Sequence, residues 1–590
     1  MEIAADQEGD IILRTEPRQT DGTPTATQSP ERRSLPRTER ISESTPNPSA
    51  DWWASGLAIL RREWLIVSVL LVAGTLIRLP YLWDVPRFTD ELQEVLWSLA
   101  IFRGDILPLT AVDSYYGPIW SYLLAASFQV EALGGDLVLV PRIVVMLLAV
   151  ATIGVSYVLG REIAGRRAAL ITAALMVTSG GHIIINSHTA RSNSVTPLLT
   201  TLLVWIMVRM VRSGDGRLLV PAGFLYALAL QTHVSVIGLA PGLALGLLLL
   251  RPRLMISPWL VAGIGAFLVG YWNMIWFNIQ NGFWSLVHAR ALQQGYSGGH
   301  SIDVGTYLTN LHALLESLSR LVSGTIDEAG NPAAVVYLTI ALAGLILLAG
   351  RGRWLPLLIC LSTALVLPYF NPRYGPILSG RYIVPLLPLL YLGLAVTIET
   401  VAARLPALTA RHRQLVVAVA AVLLVVFPLG PLAFYYREVL SDERTNWPLY
   451  QLRQSVASAY RQGDLVLLDE GMGQESLTAG GTDLKAMRMI LEADSIPYQV
   501  AKLTTSGMED LTEDNGRVLT IMGAKKVDQF DQRYEVRPFG QEVESASGSG
   551  HEYGVYEVGQ RQTAPGPAFA GQPERASGAA QPADAASDGG

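Results

Sequence analysis

The chain has 590 residues, of which 50% are hydrophobic and 16% are charged, and its mean hydropathy is +0.32. Soluble domains carry about 25% charged residues, so this composition, with its long apolar runs, indicates a polytopic membrane protein. The formal net charge of -6 gives no sign of a nucleic-acid-binding protein. The single cysteine, Cys360, excludes an intrachain disulfide and a multi-cysteine metal site.

The N-terminal segment, residues 1–55, is predicted to be disordered because it is polar, rich in Ser, Thr, Pro and Arg, and without hydrophobic periodicity. It has no cleavable signal peptide, so the first apolar run, 64–83, is expected to act as an uncleaved signal anchor. Arg61 and Arg62 precede this run, and the positive-inside rule therefore places the N-terminus in the cytoplasm. Residues 84–137 then form a first outer loop.

The number of spans depends on two neighbouring apolar runs, 118–133 and 138–160. If only 138–160 spans, five later basic loops all fall on the cytoplasmic side, whereas counting both runs inverts them. These loops contain Arg161, Arg166 and Arg167; Arg209, Arg212 and Arg217; Arg251 and Arg253; Arg351 and Arg353; and Arg404, Arg411 and Arg413. We therefore predict that 118–133 is an interfacial or re-entrant helix.

The predicted fold is an all-α polytopic membrane domain, residues 56–440, with about eleven transmembrane helices. The predicted spans are 64–83, 138–160, 168–187, 194–211, 218–233, 235–250, 256–277, 333–349, 354–370, 382–402 and 414–435. A second outer loop, 278–331, contains several glycines and a helical pattern from Tyr307 to Leu318. It is either a mobile loop that closes over a substrate or a plain connector.

After residue 440 the composition becomes that of a soluble domain, and the topology places it outside the cell membrane. Residues 445–558 are predicted to form a small extracytoplasmic α/β domain, followed by a disordered tail over 559–590. The predicted strands are 465–469, 518–522 and 553–558, and the predicted helix is 483–493.

Asp90 and Glu91 follow the first span directly, at the outer edge of the membrane. Carboxylates near hydrocarbon usually mark function, although an Asp and a Glu at a helix start are also an ordinary cap. The same side of the membrane collects Tyr115, Tyr116, Arg191, Asn193, His233 and Arg381. Outer arginines need an anion, such as a lipid phosphate or a carboxylate, unless they only snorkel at the interface.

No nucleotide-binding loop and no dinucleotide fingerprint is present in the sequence. An enzyme with its site on the outer face would not meet cytoplasmic nucleotide sugars, so it needs an activated donor carried on a lipid. A carboxylate that takes a proton from an acceptor hydroxyl and cations that hold a leaving phosphate fit this chemistry.

Four short motifs resemble those of the GT-C superfamily of polyprenyl-phosphate-sugar glycosyltransferases over residues 64–435. They are the acidic pair after the first span, the Gly-Asp and Gly-Pro steps of the first loop, an arginine at the outer end of the third span, and an Arg-Tyr-x-x-Pro-x-x-Pro segment. In this chain they are Asp90-Glu91, Gly104-Asp105 with Gly117-Pro118, Ala190-Arg191, and residues 381–388. The chain is most similar to the protein O-mannosyltransferases and lipid A aminoarabinose transferases of this superfamily.

The resemblance implies that Asp90 is the catalytic base and that Glu91 orients Asp90 or the acceptor. It implies that Arg381 and Arg191 bind the phosphate of the donor. His233 stands where relatives often carry a lysine and is predicted to contact the same phosphate. The resemblance also implies that the reaction needs no metal and no cofactor.

The chain departs from the family pattern at two positions. Asn193 replaces an acid, and Tyr116-Gly117-Pro118 replaces a His-Pro-Pro or Lys-Pro-Pro sequence. Both changes concern the identity of the acceptor, so Tyr115, Tyr116 and Asn193 are predicted to contact the acceptor or its loop.

The resulting functional prediction is a multi-pass plasma-membrane enzyme that moves a sugar from a polyprenyl-phosphate donor to a hydroxyl acceptor on the outer face. Its partners would be the lipid-linked donor, the acceptor and the bilayer, with no nucleic acid. One alternative is a transporter or flippase of a lipid-linked substrate, which would show internal repeats and ionisable residues near the midplane. A second alternative is an inactive scaffold or sensor whose outer domain binds a partner. The sequence leaves open the sugar, the acceptor and whether the transfer inverts or retains the anomeric centre.

Overall fold

The computed structural model describes residues 63–80, 82, 89–129, 137, 139–296, 303–325, 331–370, 377–405, 409–440, 448–473, 482–504, 517–544 and 552–560. The disordered segment predicted at 1–55 lies outside these residues. The last strand continues to Gln560, two residues into the segment predicted as a tail, and residues 561–590 lie outside the described part.

Each apolar run predicted as a span contains a helix or a pair of helices. The first nine helices are α1 (Glu63–Leu76), α2 (Thr89–Arg103), α3 (Ile119–Ser127), α4 (Leu139–Ala164), α5 (Arg166–Thr178), α6 (Gly180–Ser187), α7 (Thr196–Ser213), α8 (Leu219–Thr232) and α9 (Ala240–Leu250). The next nine are α10 (Pro258–Gly270), α11 (Trp272–Gln280), α12 (Trp284–Tyr296), α13 (Val304–Ser323), α14 (Pro332–Gly350), α15 (Leu355–Phe370), α16 (Leu387–Ala403), α17 (Ala410–Val426) and α18 (Leu429–Phe434). Helices dominate because hydrocarbon leaves the backbone no partner except its own carbonyls.

Five helical segments of the described chain are long and apolar enough to cross a membrane, and two bent pairs raise this number to seven. Three further apolar helices are shorter, namely Glu63–Leu76, Val234–Leu250 and Leu355–Phe370. The chain is therefore a multi-pass membrane protein, while the count of eleven spans stays a prediction. Helix α3 lies where the interfacial or re-entrant helix was predicted, and α13 confirms the helical pattern of the second outer loop.

The third predicted span is broken into two helices, and a buried arginine donates hydrogen bonds to the carbonyls at the break. Helices α5 and α6 meet at Ser179 with a bend of 60°. A helix end leaves carbonyls without partners. The Arg78 guanidinium, fully buried beyond the end of α1, donates to the carbonyls of Met176 and Val177 and lies 3.0 Å from His182 Nδ1. This contact holds the end of α1 against the break between α5 and α6.

Helices α14 and α16 cross at a pair of glycines, which lets their backbones touch. A Cβ on Gly344 would lie 1.8 Å from the carbonyl oxygen of Gly393. Small residues permit such close approach in membrane helix pairs.

We expect Gly344→Ala to lower the thermal stability of the detergent-purified protein, because overpacking costs about 1–3 kcal/mol or more. The matched control is Gly265→Ala in α10, where a Cβ would meet no atom within 4 Å. If both variants unfold at the temperature of the unmodified protein, the crossing is not tightly packed.

The C-terminal part, here called the sheet domain (residues 448–560), contains in its described residues a five-stranded mixed sheet and three helices. Its elements are α19 (Pro448–Ala459), β1 (Leu465–Asp469), α20 (Thr482–Ala493), β2 (Tyr498–Ala501), β3 (Val518–Gly523), α21 (Ala524–Asp531), β4 (Tyr534–Glu544) and β5 (Glu552–Gln560). The strand order is β2-β1-β3-β5-β4. Strand β1 pairs in parallel with β2 and β3, and β5 pairs antiparallel with β3 and β4. The three predicted strands and the predicted helix are confirmed, whereas the two edge strands were missed.

The sheet domain packs against α2, which in turn packs against α3. One cluster of buried side chains contains Leu92, Val95 and Leu99 of α2, Trp120, Leu124 and Phe128 of α3, and Met487, Ile490 and Leu491 of α20. At the end of α2, Arg103 forms an ion pair with Glu492 of α20, with Nη2 and Oε2 2.5 Å apart. The sheet domain therefore helps to fix the position of α2.

Candidate active site

Glu91 of α2 is fully buried and connects three segments of the chain. Both of its carboxylate oxygens face Arg142 of α4, at 3.0 Å from Nε and 3.3 Å from Nη2. Its Oε1 also accepts a hydrogen bond of 2.9 Å from the backbone N–H of Ala190. A buried carboxylate needs such a set of donors to remain charged. Glu91 thereby holds α2 to α4 and to the chain that follows α6.

Glu94 lies one helical turn after Glu91 and is also buried. It accepts hydrogen bonds from the Ser192 N–H (2.7 Å), the Ser192 hydroxyl (3.2 Å) and the Tyr116 hydroxyl (3.1 Å). Its Oε1 lies 3.7 Å from Nε of Arg191. These contacts fix the position of Arg191 between α6 and α7, and the Glu94 carboxylate offsets part of its positive charge.

Burial, together with the negative charges of Glu94 and Asp113, raises the pKa of Tyr116 well above its usual range. The phenol therefore stays protonated at any physiological pH. Its hydroxyl can donate to Glu94, at 3.1 Å, or to Asp113 Oδ2, at 3.3 Å.

The segment that carries Tyr115 and Tyr116 is anchored on two further sides. The Gly117 N–H donates to the carbonyl of Gln231 in α8, and a Cβ at this position would lie 2.0 Å from Gln231 Oε1. This close approach explains a glycine here. On the other side, Ser114 Oγ lies 3.0 Å from His288 Nδ1 of α12, and the Tyr115 ring makes an edge contact with the His288 ring.

Arg381 and His233 meet at the Tyr382 ring. The Arg381 guanidinium carbon lies 5.0 Å from the centre of this ring, and its Nη2 donates to the Tyr382 hydroxyl at 2.9 Å. The His233 ring lies 4.9 Å from the same ring, and its Nδ1 accepts the N–H of Ser235. A guanidinium stacked on an aromatic ring is held in a fixed orientation, and its positive charge suits an anion.

These groups line one cavity of about 310 Å³. Its walls are formed by Asp113, Tyr115, Tyr116, Arg191, His233, Val234, Ser235, Ile237, Ala289, Leu292, Gln293, Leu367, Phe370, Arg381 and Tyr382. Apolar side chains of α12 and α15 cover one part, and the two arginines lie within the same walls. Such a mixture suits a ligand with an anionic group and an apolar chain.

The structure brings five of the predicted site residues to this cavity: Tyr115, Tyr116, Arg191, His233 and Arg381. Glu91 and Asn193 are buried but are not among the described residues that line it. The backbone of Asp90 lies in the first turn of α2, whereas its side chain lies outside the described part of the chain. The predicted catalytic role of Asp90 and the orienting role of Glu91 therefore stay predictions.

Two residues of the site were missed by the sequence reasoning. Arg142 had a usable signal, since it is an arginine at the outer end of a predicted span, like Arg191. Asp113 had none, because a single aspartate in a long loop resembles any solvated residue. Glu94 was visible as an acid one turn beyond Asp90, but its contacts with Tyr116 and Ser192 depend on chain segments that only folding brings together.

Residues 116–276 match the family of dolichyl-phosphate-mannose-protein mannosyltransferases. The crystal structure of ArnT from Cupriavidus metallidurans bound to undecaprenyl phosphate is similar to 85% of this chain, over 98% of its own length, with a TM-score of 0.53 and 15% identity. The apo structure of the same protein is similar over the same fractions of the two chains, with a TM-score of 0.50 and 15% identity. No curated protein sequence matches the chain.

The similarity to these solved structures shows a shared fold. Together with the family match, it confirms the predicted resemblance to the GT-C superfamily of polyprenyl-phosphate-sugar glycosyltransferases.

Proposed function

From this GT-C fold, we propose that the chain transfers a sugar from a polyprenyl-phosphate carrier to a hydroxyl acceptor on the outer face of the plasma membrane. The observation that carries the proposal is the presence of Arg191 and Arg381 in the walls of one cavity. These residues are far apart in sequence, and two guanidinium groups at one cavity form a site for a phosphate. In support, the similar ArnT structure contains undecaprenyl phosphate.

In the proposed reaction, Asp90 takes the proton of the acceptor hydroxyl as its oxygen attacks the anomeric carbon of the sugar. The bond between the anomeric carbon and the phosphate oxygen breaks, and the electron pair leaves with the polyprenyl phosphate. Arg191 and Arg381 stabilise the charge that develops on this leaving group. A single displacement of this kind inverts the anomeric centre.

The other residues that line the cavity are suited to positioning the lipid donor and the acceptor. Leu367 and Phe370 of α15 and Leu292 of α12 offer an apolar surface for the first prenyl units. Tyr115 and Tyr116 lie where a sugar or acceptor could contact them. Glu91 and Glu94 act indirectly, because they hold α2, Arg142 and Arg191 in place.

The experiment that tests the proposal supplies purified protein in detergent with radiolabelled undecaprenyl-phosphate mannose, and with the glucose and arabinose analogues, plus membranes of a strain lacking the protein as a source of acceptor. Covalent transfer of label supports the proposal. Flux that needs sealed vesicles and yields no covalent product would instead establish the transporter alternative. Mass spectrometry of glycans and glycolipids with and without the protein then identifies the acceptor.

Arg381→Ala is expected to weaken the binding of undecaprenyl phosphate by about 10- to 100-fold, since a hydrogen bond to a charged group contributes about 1.5–3 kcal/mol. Native mass spectrometry of the detergent-solubilised protein measures this. Arg381→Lys should lose less affinity, because it keeps the charge but not the fork geometry. Arg533→Ala, an exposed arginine of the sheet domain, is the control. Equal affinities for all variants would remove Arg381 from the phosphate site.

A further inference from the structure

Asp113 is the only carboxylate among the described residues that line the cavity. It lies in the first outer loop, three residues before Tyr116, and is half-buried. Two arginines and this single aspartate thus line the same space. The arginines can bind a phosphate. The aspartate instead favours a group that donates hydrogen bonds, because its carboxylate is an acceptor and repels anions.

The position of Asp113 is fixed by its neighbours on both sides. Its backbone carbonyl accepts the Tyr116 N–H at 3.2 Å. The carbonyl of the next residue, Ser114, accepts a hydrogen bond from the Ser285 hydroxyl of α12, and the Ser114 hydroxyl lies 3.0 Å from Nδ1 of His288, in the same helix. A loop held in this way presents its residues to a ligand without a large ordering cost.

Asp113 also has spare hydrogen-bonding capacity, in contrast to Glu94. Within the described part of the chain, the Tyr116 phenol is the only group that donates to the Asp113 carboxylate, at 3.3 Å from Oδ2. The same phenol lies closer to Glu94, which already accepts from the backbone and side chain of Ser192. A carboxylate has about four acceptor positions. Asp113 can therefore accept hydrogen bonds from a molecule in the cavity.

We propose that Asp113 is a specificity-determining residue that accepts hydrogen bonds from the sugar of the lipid-linked donor. This inference rests on the proposed function, because the arginines must hold the phosphate for the attached sugar to reach Asp113. The class of sugar that fits carries hydroxyl or amino donors near the anomeric end. A uronic acid is excluded, since its carboxylate would meet that of Asp113.

The test compares the binding of undecaprenyl phosphate with that of its mannose, glucose, arabinose and glucuronate conjugates, by native mass spectrometry of the full chain. For the unmodified protein, at least one neutral sugar should raise the affinity by about 10-fold or more over the bare phosphate. Asp113→Asn, a nearly isosteric change, should remove most of this gain without weakening the binding of the bare phosphate. It should also improve binding of the glucuronate conjugate. Asp105→Asn, an exposed aspartate of the same loop, should change nothing.

The inference is overturned if no neutral sugar adds affinity, or if Asp113→Asn weakens all the lipids equally. Either result, combined with phosphate binding that depends on Arg381, leaves the proposed function standing. If the unmodified protein binds none of the lipids, both the inference and the proposed function are wrong.

Discussion

Asp90→Asn is expected to reduce the rate of sugar transfer by about 10²- to 10⁴-fold, the usual contribution of a general base. The reason lies in the other two carboxylates of α2, Glu91 and Glu94. Glu91 is occupied by Arg142 and the Ala190 N–H, and Glu94 by Ser192, Tyr116 and Arg191. The oxygens of both carboxylates already accept hydrogen bonds from the protein, so Asp90 is the acid of this helix that we expect to take the proton.

The measurement is the kcat of transfer from a radiolabelled lipid donor, with membrane insertion checked by protease protection. Asp105→Asn, beyond the other end of α2, is the matched control and should keep full activity. Asp113→Asn separates the two proposed roles, because a residue that reads the sugar changes KM and donor preference more than kcat. Full transfer by correctly inserted Asp90→Asn protein would falsify the proposed mechanism.

The helices of the membrane domain were predictable because hydrocarbon imposes one rule on every span. Each span must form all its backbone hydrogen bonds within itself, so an apolar run becomes a helix whatever segments pack against it. The breaks at Ser179 and Tyr271 were not predictable in the same way. The first depends on Arg78, which lies far away in sequence and supplies the donors that the broken helix needs.

In the sheet domain, the predicted strands are the central ones and the missed strands are the edges. Strands β1 and β3 are buried and read as continuous apolar runs, typical of strands covered on both faces. Strand β2 is short and partly exposed, and β4 carries Arg537 and Pro538. Edge strands need such residues to avoid pairing with other chains, and these residues hide the strand pattern.

The sheet domain changes how the enzyme and sensor alternatives can be separated. Deletion of residues 445–590 would be a clean experiment only if the domain were independent of the membrane part. Instead, Leu92, Val95 and Leu99 of α2 share a hydrophobic cluster with α20, and deletion would expose them. Loss of transfer after deletion would therefore be expected of the enzyme too, so point substitutions in the cavity are the better discriminator.

Glu91→Ala is expected to destabilise the fold by about 3–5 kcal/mol, because it removes one partner of a buried ion pair. The side chains of Arg142 and Glu91 are 5% and 1% exposed, and the carboxylate also holds the Ala190 N–H. The melting temperature in detergent should fall sharply. Loss of transfer should accompany it, since Arg191 follows Ala190 directly.

A double variant separates the contribution of the ion pair to stability from the contribution of side-chain packing. Glu91→Met combined with Arg142→Met removes both charges and keeps apolar volume, and replacement of a whole buried pair is often neutral or stabilising. We therefore expect the double variant to melt at a higher temperature than Glu91→Ala. Arg212→Ala is the control, since its partner Glu162 lies at the surface and exposed pairs contribute about 0–1 kcal/mol. If the double variant is as unstable as Glu91→Ala, the hydrogen bond to Ala190, rather than the charge pair, is what holds α2 in place.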